Sequence, residues 1–178
     1  MFPITVSSIA LGTLVLASSA IVISVPIRTT ASIPASNTVI RVAQSTTTQN
    51  TNDIEQSIFD KINQYRASKG LPALSRDARI DSQSKNHSQN MASGKVPFSH
   101  QGFDERVKGT GVTYRGAAEN VAYNMGYSDP ATQAVQGWLK SPGHLRNIQN
   151  RDYNQTGIGV ATNSKGEVYF TQIFIRSK

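Results

Sequence analysis

The sequence predicts an α+β domain in which helices cover a small antiparallel sheet. Three helical segments with recognisable start and stop signals precede two β-rich runs at the end of the chain. Two strands cannot bury themselves, so they need helices packed against them. With 178 residues, the chain is long enough for one domain with a core and too short to predict two.

The beginning of the chain differs from the rest. The stretch from Ile4 to Ile27 carries no charge, and the first acidic residue is Asp53. This pattern is typical of a secretory signal or an uncleaved membrane anchor, which we predict for residues 1–27. Residues 28–51 are rich in Ser and Thr and lack a hydrophobic period, so we expect a disordered spacer there and a folded domain over residues 52–178. The protein is then expected to be extracellular, periplasmic or on the cell surface, and to meet a membrane only through an uncleaved leader.

The charge and cysteine content of the chain limit the kinds of partner that it can bind. The net charge is +7, and the first 50 residues hold only Arg28 and Arg41, so the remainder has 16 basic against 11 acidic residues, or +5. These charges are not clustered, which argues against nucleic acid. Anionic cell-wall polymers or lipid headgroups are compatible with them, as is plain solubility. The chain has no Cys, which excludes disulfides, thiolate nucleophiles and Cys zinc sites.

Two long helices begin the predicted domain. Asn52 and Glu55 have the spacing of a capping box, an apolar period of four follows, and Gly70 with Pro72 ends the first helix. The second is predicted from Ser75 to just before Gly94, with one face made of Ile80, Ser84, His87 and Met91. His87 on this face is interpreted as a packed, hydrogen-bonded core residue in preference to a ligand.

The middle of the chain predicts shorter elements. A short helix is expected over 103–108 and a strand at "ENVAY". Asp129 and Pro130 start a third long helix by an N-cap and a proline at the first position, with Trp138 on its inward face. Ser141 and Pro142 repeat this device, which puts His144 in the first turn of another helix. The tail, "TGIGVAT" and "EVYFTQIFI" joined by "NSKG", predicts a β-hairpin.

Three polar residues at element edges or turns are candidate site residues: His100, Glu119 and His144. Two imidazoles and a carboxylate suit a divalent metal or acid–base chemistry. The positive end of a helix disfavours an imidazolium, so His144 is expected to be neutral, the form that binds metal. The alternative role of His144 is structural, bracing the junction between its helix and the hairpin.

The motifs, in order, resemble those of one family. These are "INQYRASKGLPALSRDARI", "HSQNMA", "FSH", "AENVA", "GWLKSPGHLRNI", "GIGVA" and "YFTQIF", spread over residues 54–175. They are similar to the bacterial, SCP-like branch of the CAP superfamily: cysteine-rich secretory proteins, antigen 5 and pathogenesis-related class 1. The resemblance implies a three-layer α-β-α sandwich, secreted or surface-tethered, with a central cleft. In many members two His and two Glu line this cleft and can hold zinc or another divalent ion.

The resemblance carries over residue by residue. His100 matches the first cleft histidine and Glu119 the glutamate of the family's "GENL" element. Tyr169 stands where plant and animal members have the second histidine, and His144 resembles a replacement found in bacterial members. The second Glu has no match, so metal binding by His100, Glu119 and His144 competes with a hydrogen-bonded cluster completed by Tyr169 or Gln172.

The family is associated with lipid or sterol binding, extracellular defence and virulence, and occasionally proteolysis, so the fold does not determine function. We expect a binding or effector module that holds a small ligand, lipid or divalent cation such as zinc. The first alternative is a metal-dependent hydrolase with Glu119 as base, and the second is a cell-wall-associated structural module. An enzyme is the less favoured expectation, because Glu119 cannot be both ligand and base.

Overall fold

A computed structural model describes residues 50–178 of the chain. The elements in chain order are α1 (Thr51–Ser68), β1 (Ser75–Arg76), α2 (Ala78–Ala92), α3 (Phe103–Gly109), β2 (Tyr114–Met125), α4 (Pro130–Lys140), α5 (Pro142–Gln149), β3 (Gln155–Thr162) and β4 (Glu167–Ser177). The leader predicted at 1–27, and all but the last two residues of the spacer predicted at 28–51, lie outside the described residues. Within residues 50–178, no helix has the length and apolar character needed to cross a membrane.

The N-cap of helix α1 lies two residues before the predicted one. Asn50 is the N-cap, and its side chain accepts a hydrogen bond from the backbone N–H of Asn52. The predicted capping box of Asn52 and Glu55 is therefore wrong. The Glu55 carboxylate is buried and has another use: Oε2 accepts from Arg76 Nη2 at 2.8 Å, and Oε1 accepts from the backbone N–H of Val160 at 3.2 Å.

Helix α2 begins later than the predicted Ser75. Asp77 is the N-cap, and its side chain accepts from Arg79 N. Ser75 instead belongs to the two-residue strand β1, which runs parallel to β3. The predicted end is confirmed, because α2 stops at Ala92 and Gly94 follows with φ of 72°.

The sheet has the order β1-β3-β4-β2 and is mixed. The three longer strands pair antiparallel, as predicted, whereas β1 pairs parallel. The hairpin of β3 and β4 is confirmed, and Gly166 in its loop has φ of 79°, a conformation that suits glycine. Strand β2 is much longer than the predicted "ENVAY", because almost its whole length pairs with β4.

Helices cover both faces of the sheet, which confirms the α+β class and its three layers. The larger core joins α1, α4 and α5 to one face, and Trp138, Phe170 and Phe174 lie within it. The smaller core joins α2 and α3 to the opposite face around Ile80, Val107 and Ile173. Side chains alternate along a strand, so from Gly116 onwards the even-numbered residues of β2, and those of β4, face the larger core and the odd-numbered ones face α2 and α3.

Helix α2 lies in direct contact with β3 at two glycines. A Cβ atom on Gly157 would lie 2.2 Å from the backbone carbon of Ile80, and one on Gly159 would lie 2.1 Å from the backbone nitrogen of Lys85. Serines of α2 donate to the carbonyls of these glycines, Ser84 to Gly157 at 3.1 Å and Ser88 to Gly159 at 2.8 Å. The "GIGVA" motif thus sets the distance between α2 and the sheet.

Arg66 ties the end of α1 to the segment between α5 and β3. Its side chain is fully buried and donates to four backbone carbonyls, those of Pro72, Ile148, Asn150 and Tyr153. No carboxylate of residues 50–178 forms an ion pair with it. Two of the carbonyls lie at the C-terminal end of α5, where the helix dipole favours a cation.

Candidate functional site

The loop between α2 and α3 carries His100. A buried histidine of α2, His87, holds this loop in place, since its Nε2 lies 2.9 Å from the carbonyl oxygen of Ser99. A carbonyl only accepts, so the neutral His87 ring carries its proton on Nε2. The interpretation of His87 as a packed, hydrogen-bonded core residue is confirmed. Its side chain sets the position of the neighbouring His100.

His100 and Glu119 lie together, although they are 19 residues apart in the chain. His100 Nδ1 is 2.9 Å from Glu119 Oε1, and their side chains are 52% and 2% exposed. A carboxylate oxygen accepts, so His100 donates from Nδ1, which directs Nε2 to the solvent. The pair therefore presents one oriented ring nitrogen at the surface.

Arg106 of α3 completes the cluster, and the sequence analysis did not identify it. Its Nε donates to Glu119 Oε2 at 3.0 Å and its Nη2 to Oε1 at 2.8 Å. Its Nη1 also donates to the carbonyl of Gln101 at 2.7 Å, next to His100. A buried carboxylate needs a cationic partner, so the nearest Arg before Glu119 on a predicted helix was the available signal.

Helix α5, which carries His144, packs on the other face of the sheet. Glu119 is odd-numbered and points towards α3, whereas Asn120 points towards α5 and donates to the carbonyl of His144 at 3.2 Å. Asn147 of α5 donates to the Glu119 carbonyl and to the Asn120 side chain. The His144 imidazole makes no hydrogen bond with His100 or Glu119. Asn120 and Asn147 thus link α5 to the backbone of Glu119, and the two imidazoles lie close enough for the charge of His100 to act on His144.

The position of His144 in the first turn of α5 is confirmed, although the Ser141 side chain forms no capping hydrogen bond. Burial lowers the pKa of His144, and the nearby charge of His100 lowers it further. The predicted direction is therefore right. The main cause is burial beside a cavity of about 570 Å³ that Trp138 and Ser141 also line.

Tyr169 and Gln172 do not join the His100–Glu119 cluster. Tyr169 pairs with Tyr123, four residues along β2 from Glu119, which at strand spacing is about 13 Å. Its hydroxyl donates to Glu167 at 3.2 Å. Gln172 is completely buried and donates to Thr156, so it cannot line a water-accessible cleft.

The donor set does not fit the predicted metal ion. Both oxygens of Glu119 are bound by Arg106, and Nδ1 of His100 faces Glu119, so only Nε2 of His100 stays available. Zinc sites in proteins use three or four protein ligands. Within residues 50–178, no three His, Asp or Glu side chains are grouped closely enough to hold a metal ion. The residues His100, Glu119 and His144 do not form such a group.

Acidification is expected to destabilise the domain through its buried histidines. Burial lowers the pKa of His87 below its ordinary 6.5, as it does for His144. Below pH 6.5 the unfolded chain takes up protons that the folded chain resists, so stability falls as pH falls through this range. Thermal unfolding of the wild type from pH 7.5 to 5.5 should show this loss, and His87→Gln should reduce it.

Two aspartates with lowered pKa values do not change the stability of the domain between pH 7.5 and 5.5. The pKa values of Asp77 and Asp129 are lowered mainly by hydrogen bonds from Arg79 and Thr132, so their stabilisation is lost only below the ordinary 3.8. A His87→Gln variant with the same pH dependence as the wild type would exclude His87 as the source.

The fold and the site define the class of protein: a three-layer α-β-α domain with a histidine–glutamate pair beside the edge strand β2. The family model for CAP, the cysteine-rich secretory protein family, matches residues 59–174. The chain belongs to the CAP family, in its bacterial SCP-like branch.

Known proteins agree with this assignment. The "Uncharacterized membrane protein YlbC" of Bacillus subtilis (strain 168) is 36% identical over 128 residues, which are 68% of this chain and 34% of YlbC. The crystal structure of an extracellular protein containing a SCP domain, from Bacillus anthracis str. Ames, has a TM-score of 0.61 and 31% identity, over 71% of this chain and 41% of that one. The structure of NaASP2 with Zn²⁺ has a TM-score of 0.54 at 14% identity, over 71% of this chain and 82% of that one, and is a likeness of fold alone. This chain thus spans less than half of the first two proteins.

Proposed function

We propose that the protein is an exported CAP-domain binding module that holds a small polar ligand at His100. The leader predicted at residues 1–27 supports export, and the similar Bacillus anthracis protein is described as extracellular. The observation that carries the binding site is the half-exposed His100 imidazole, whose Nδ1 is held by the buried Glu119 carboxylate that Arg106 anchors.

The chemistry of the pair indicates the ligand. When the His100 ring is neutral and donates from Nδ1, Nε2 carries a lone pair and accepts a hydrogen bond from a ligand hydroxyl or amine. The positive charge of Arg106 offsets the negative charge of Glu119, so the His100–Glu119 pair does not require a cationic ligand. Because the loop is fixed by His87 and Arg106, little ordering entropy is lost when the ligand binds.

The metal-dependent hydrolase is the weaker proposal. It needs Glu119 as a ligand or as a base, and both oxygens of Glu119 are engaged by Arg106 in a two-bond pair. No other carboxylate of residues 50–178 is hydrogen-bonded to His100. Binding without a metal is therefore the function that we favour.

Metal titration and mass spectrometry together test this proposal. In calorimetric titrations with zinc, the wild type, His100→Ala and His144→Ala are expected to give the same weak affinity. Native mass spectrometry of the chain purified from its host is expected to show a small organic ligand that His100→Ala loses. Lys140→Ala, which changes an exposed residue at the end of α4, serves as the control and should keep the ligand.

One result would refute this proposal. Stoichiometric zinc in the wild type that is lost in both His100→Ala and His144→Ala would establish a metal site made by the two histidines. The hydrogen-bonded arrangement of Glu119 with Arg106 would then have to open in solution.

A further inference from the structure

A second cavity lies apart from His100, between the end of α2 and the β3–β4 hairpin. Its volume is about 580 Å³. Several small side chains and one aromatic ring line it. The lining includes Ala92, Gly94, Ala161, Asn163 and Tyr169. This combination leaves room for a flat ligand next to the ring.

Tyr169 supplies the aromatic wall. One face of its ring stacks on Tyr123, with centroids 5.7 Å apart and planes 21° apart. Its other neighbour across the sheet is Ala161 of β3, whose methyl group covers little of the second face. That second face therefore borders the cavity, where a ligand can stack on it.

The rim of the cavity is polar and of mixed charge. Gln89, Asn163, Lys165 and Glu167 line it and offer hydrogen-bond donors and acceptors. Asn163 and Tyr169 both donate to the Glu167 carboxylate, which fixes its position. The positive charge of Lys165 and the negative charge of Glu167 offset each other at the rim. The rim therefore suits a neutral ligand with many hydroxyls better than an ion.

The aromatic wall continues away from the cavity. Phe98 packs edge-on against Tyr123 with centroids 5.3 Å apart, and these two side chains are 47% and 55% exposed. Large apolar groups exposed next to each other are uncommon on soluble proteins and mark binding surfaces. The row of Phe98, Tyr123 and Tyr169 is elongated, which indicates a ligand made of several rings.

We propose that the cavity and this aromatic row bind a neutral oligosaccharide. A sugar ring has an apolar C–H face, which stacks on Tyr169, and hydroxyl groups around its edge, which bond to the rim. A lipid chain would need a deeper apolar cavity than this polar-rimmed one. Nucleic acid or an anionic polymer would need clustered cations, whereas Lys165 stands beside Glu167. The cavity shares no lining residue with the cluster of His100, Glu119 and Arg106, so either proposal can fail alone.

Titration of the full chain with chitotetraose and cellotetraose, followed by calorimetry and ligand-observed NMR, tests this proposal. At least one of the two is expected to bind. Tyr169→Ala should weaken binding about tenfold or more, because it removes the stacking surface. Tyr169→Phe keeps the ring and should bind within about threefold of the wild type. Tyr127→Ala is the matched control, since Tyr127 is 53% exposed but lies outside the row, and it should bind normally.

Three outcomes would overturn the proposal. The first is no binding of either oligosaccharide to the wild type. The second is binding that Tyr169→Ala leaves unchanged while its thermal unfolding matches the wild type. The third is capture by phosphatidylglycerol vesicles that depends on Tyr169 in the absence of sugar binding, which would make the row a membrane-contact surface.

Discussion

Alanine at Gly159 is expected to destabilise the domain by about 3 kcal/mol or more, because one methyl group cannot fit between β3 and α2. The added Cβ would meet backbone atoms of Ser84 and Lys85 at 2.1 to 2.3 Å, and backbone cannot rotate away as a flexible side chain can. The helix would have to move off the sheet and would lose the bond from Ser88 to the Gly159 carbonyl.

The expected loss of stability at Gly159 comes from the close approach of α2 to β3 and not from a backbone conformation that only glycine adopts. Gly159 lies within an extended strand and is absent from the glycines with positive φ. Thermal unfolding followed by circular dichroism should show a midpoint lowered by about 10 °C or more. The same measurement on Gly157→Ala should show a similar loss, since its Cβ would meet Ile80 and Asp81.

Gly137→Ala is the matched control. Gly137 lies inside α4 with nothing within 4 Å of an added Cβ, so alanine there should stabilise the helix by up to about 1 kcal/mol. A Gly159→Ala protein that unfolds at the wild-type temperature would show that α2 does not lie against β3 as described.

Methionine at Arg66 is expected to cost about 3 kcal/mol or more, although it fills much of the same volume. Four carbonyl groups lose their donor at once, and those of Ile148 and Tyr153 lie in buried positions. Arg66→Lys should recover only part of this loss, because an ammonium group lacks the planar fork that reaches several acceptors. Urea unfolding of the three proteins measures the differences.

Arg79→Met provides the comparison. Arg79 is 58% exposed and pairs with Asp77 at the surface, so its loss should destabilise the domain far less than the loss of Arg66. Equal effects of Arg66→Met and Arg79→Met would contradict the structural role given to the buried guanidinium.

The elements that the sequence predicts well are those whose signals are local. The short helix α3, the Asp129–Pro130 start of α4 and the β3–β4 hairpin with Gly166 depend on residues within a few positions of each other. Strand β1 is different. Its two residues form a strand because they pair with Gln155 and Thr156, about 80 positions later, and no local pattern predicts this pairing.

The candidate site, like the fold, is predicted only in part by local sequence. Residue type and position identify His100, Glu119 and His144 as candidates, and family resemblance adds Tyr169 and Gln172. Their surroundings depend on the fold. Arg106 neutralises Glu119, and the alternation of side chains along β2 turns Glu119 towards α3 and Asn120 towards α5. His144 therefore makes no hydrogen bond to the His100–Glu119 pair, although the charge of His100 still acts on it.

The sequence alone determines the family, the helices with local caps and the residues able to do chemistry. Each of these depends on residues that are neighbours along the chain. The tertiary structure decides which of those residues meet, what charge surrounds them and how closely α2 approaches β3. The physical reason is that burial, ion pairing and steric contact act through space between segments far apart in sequence. Arg106 with Glu119, and Gly159 with Lys85, are contacts of this kind.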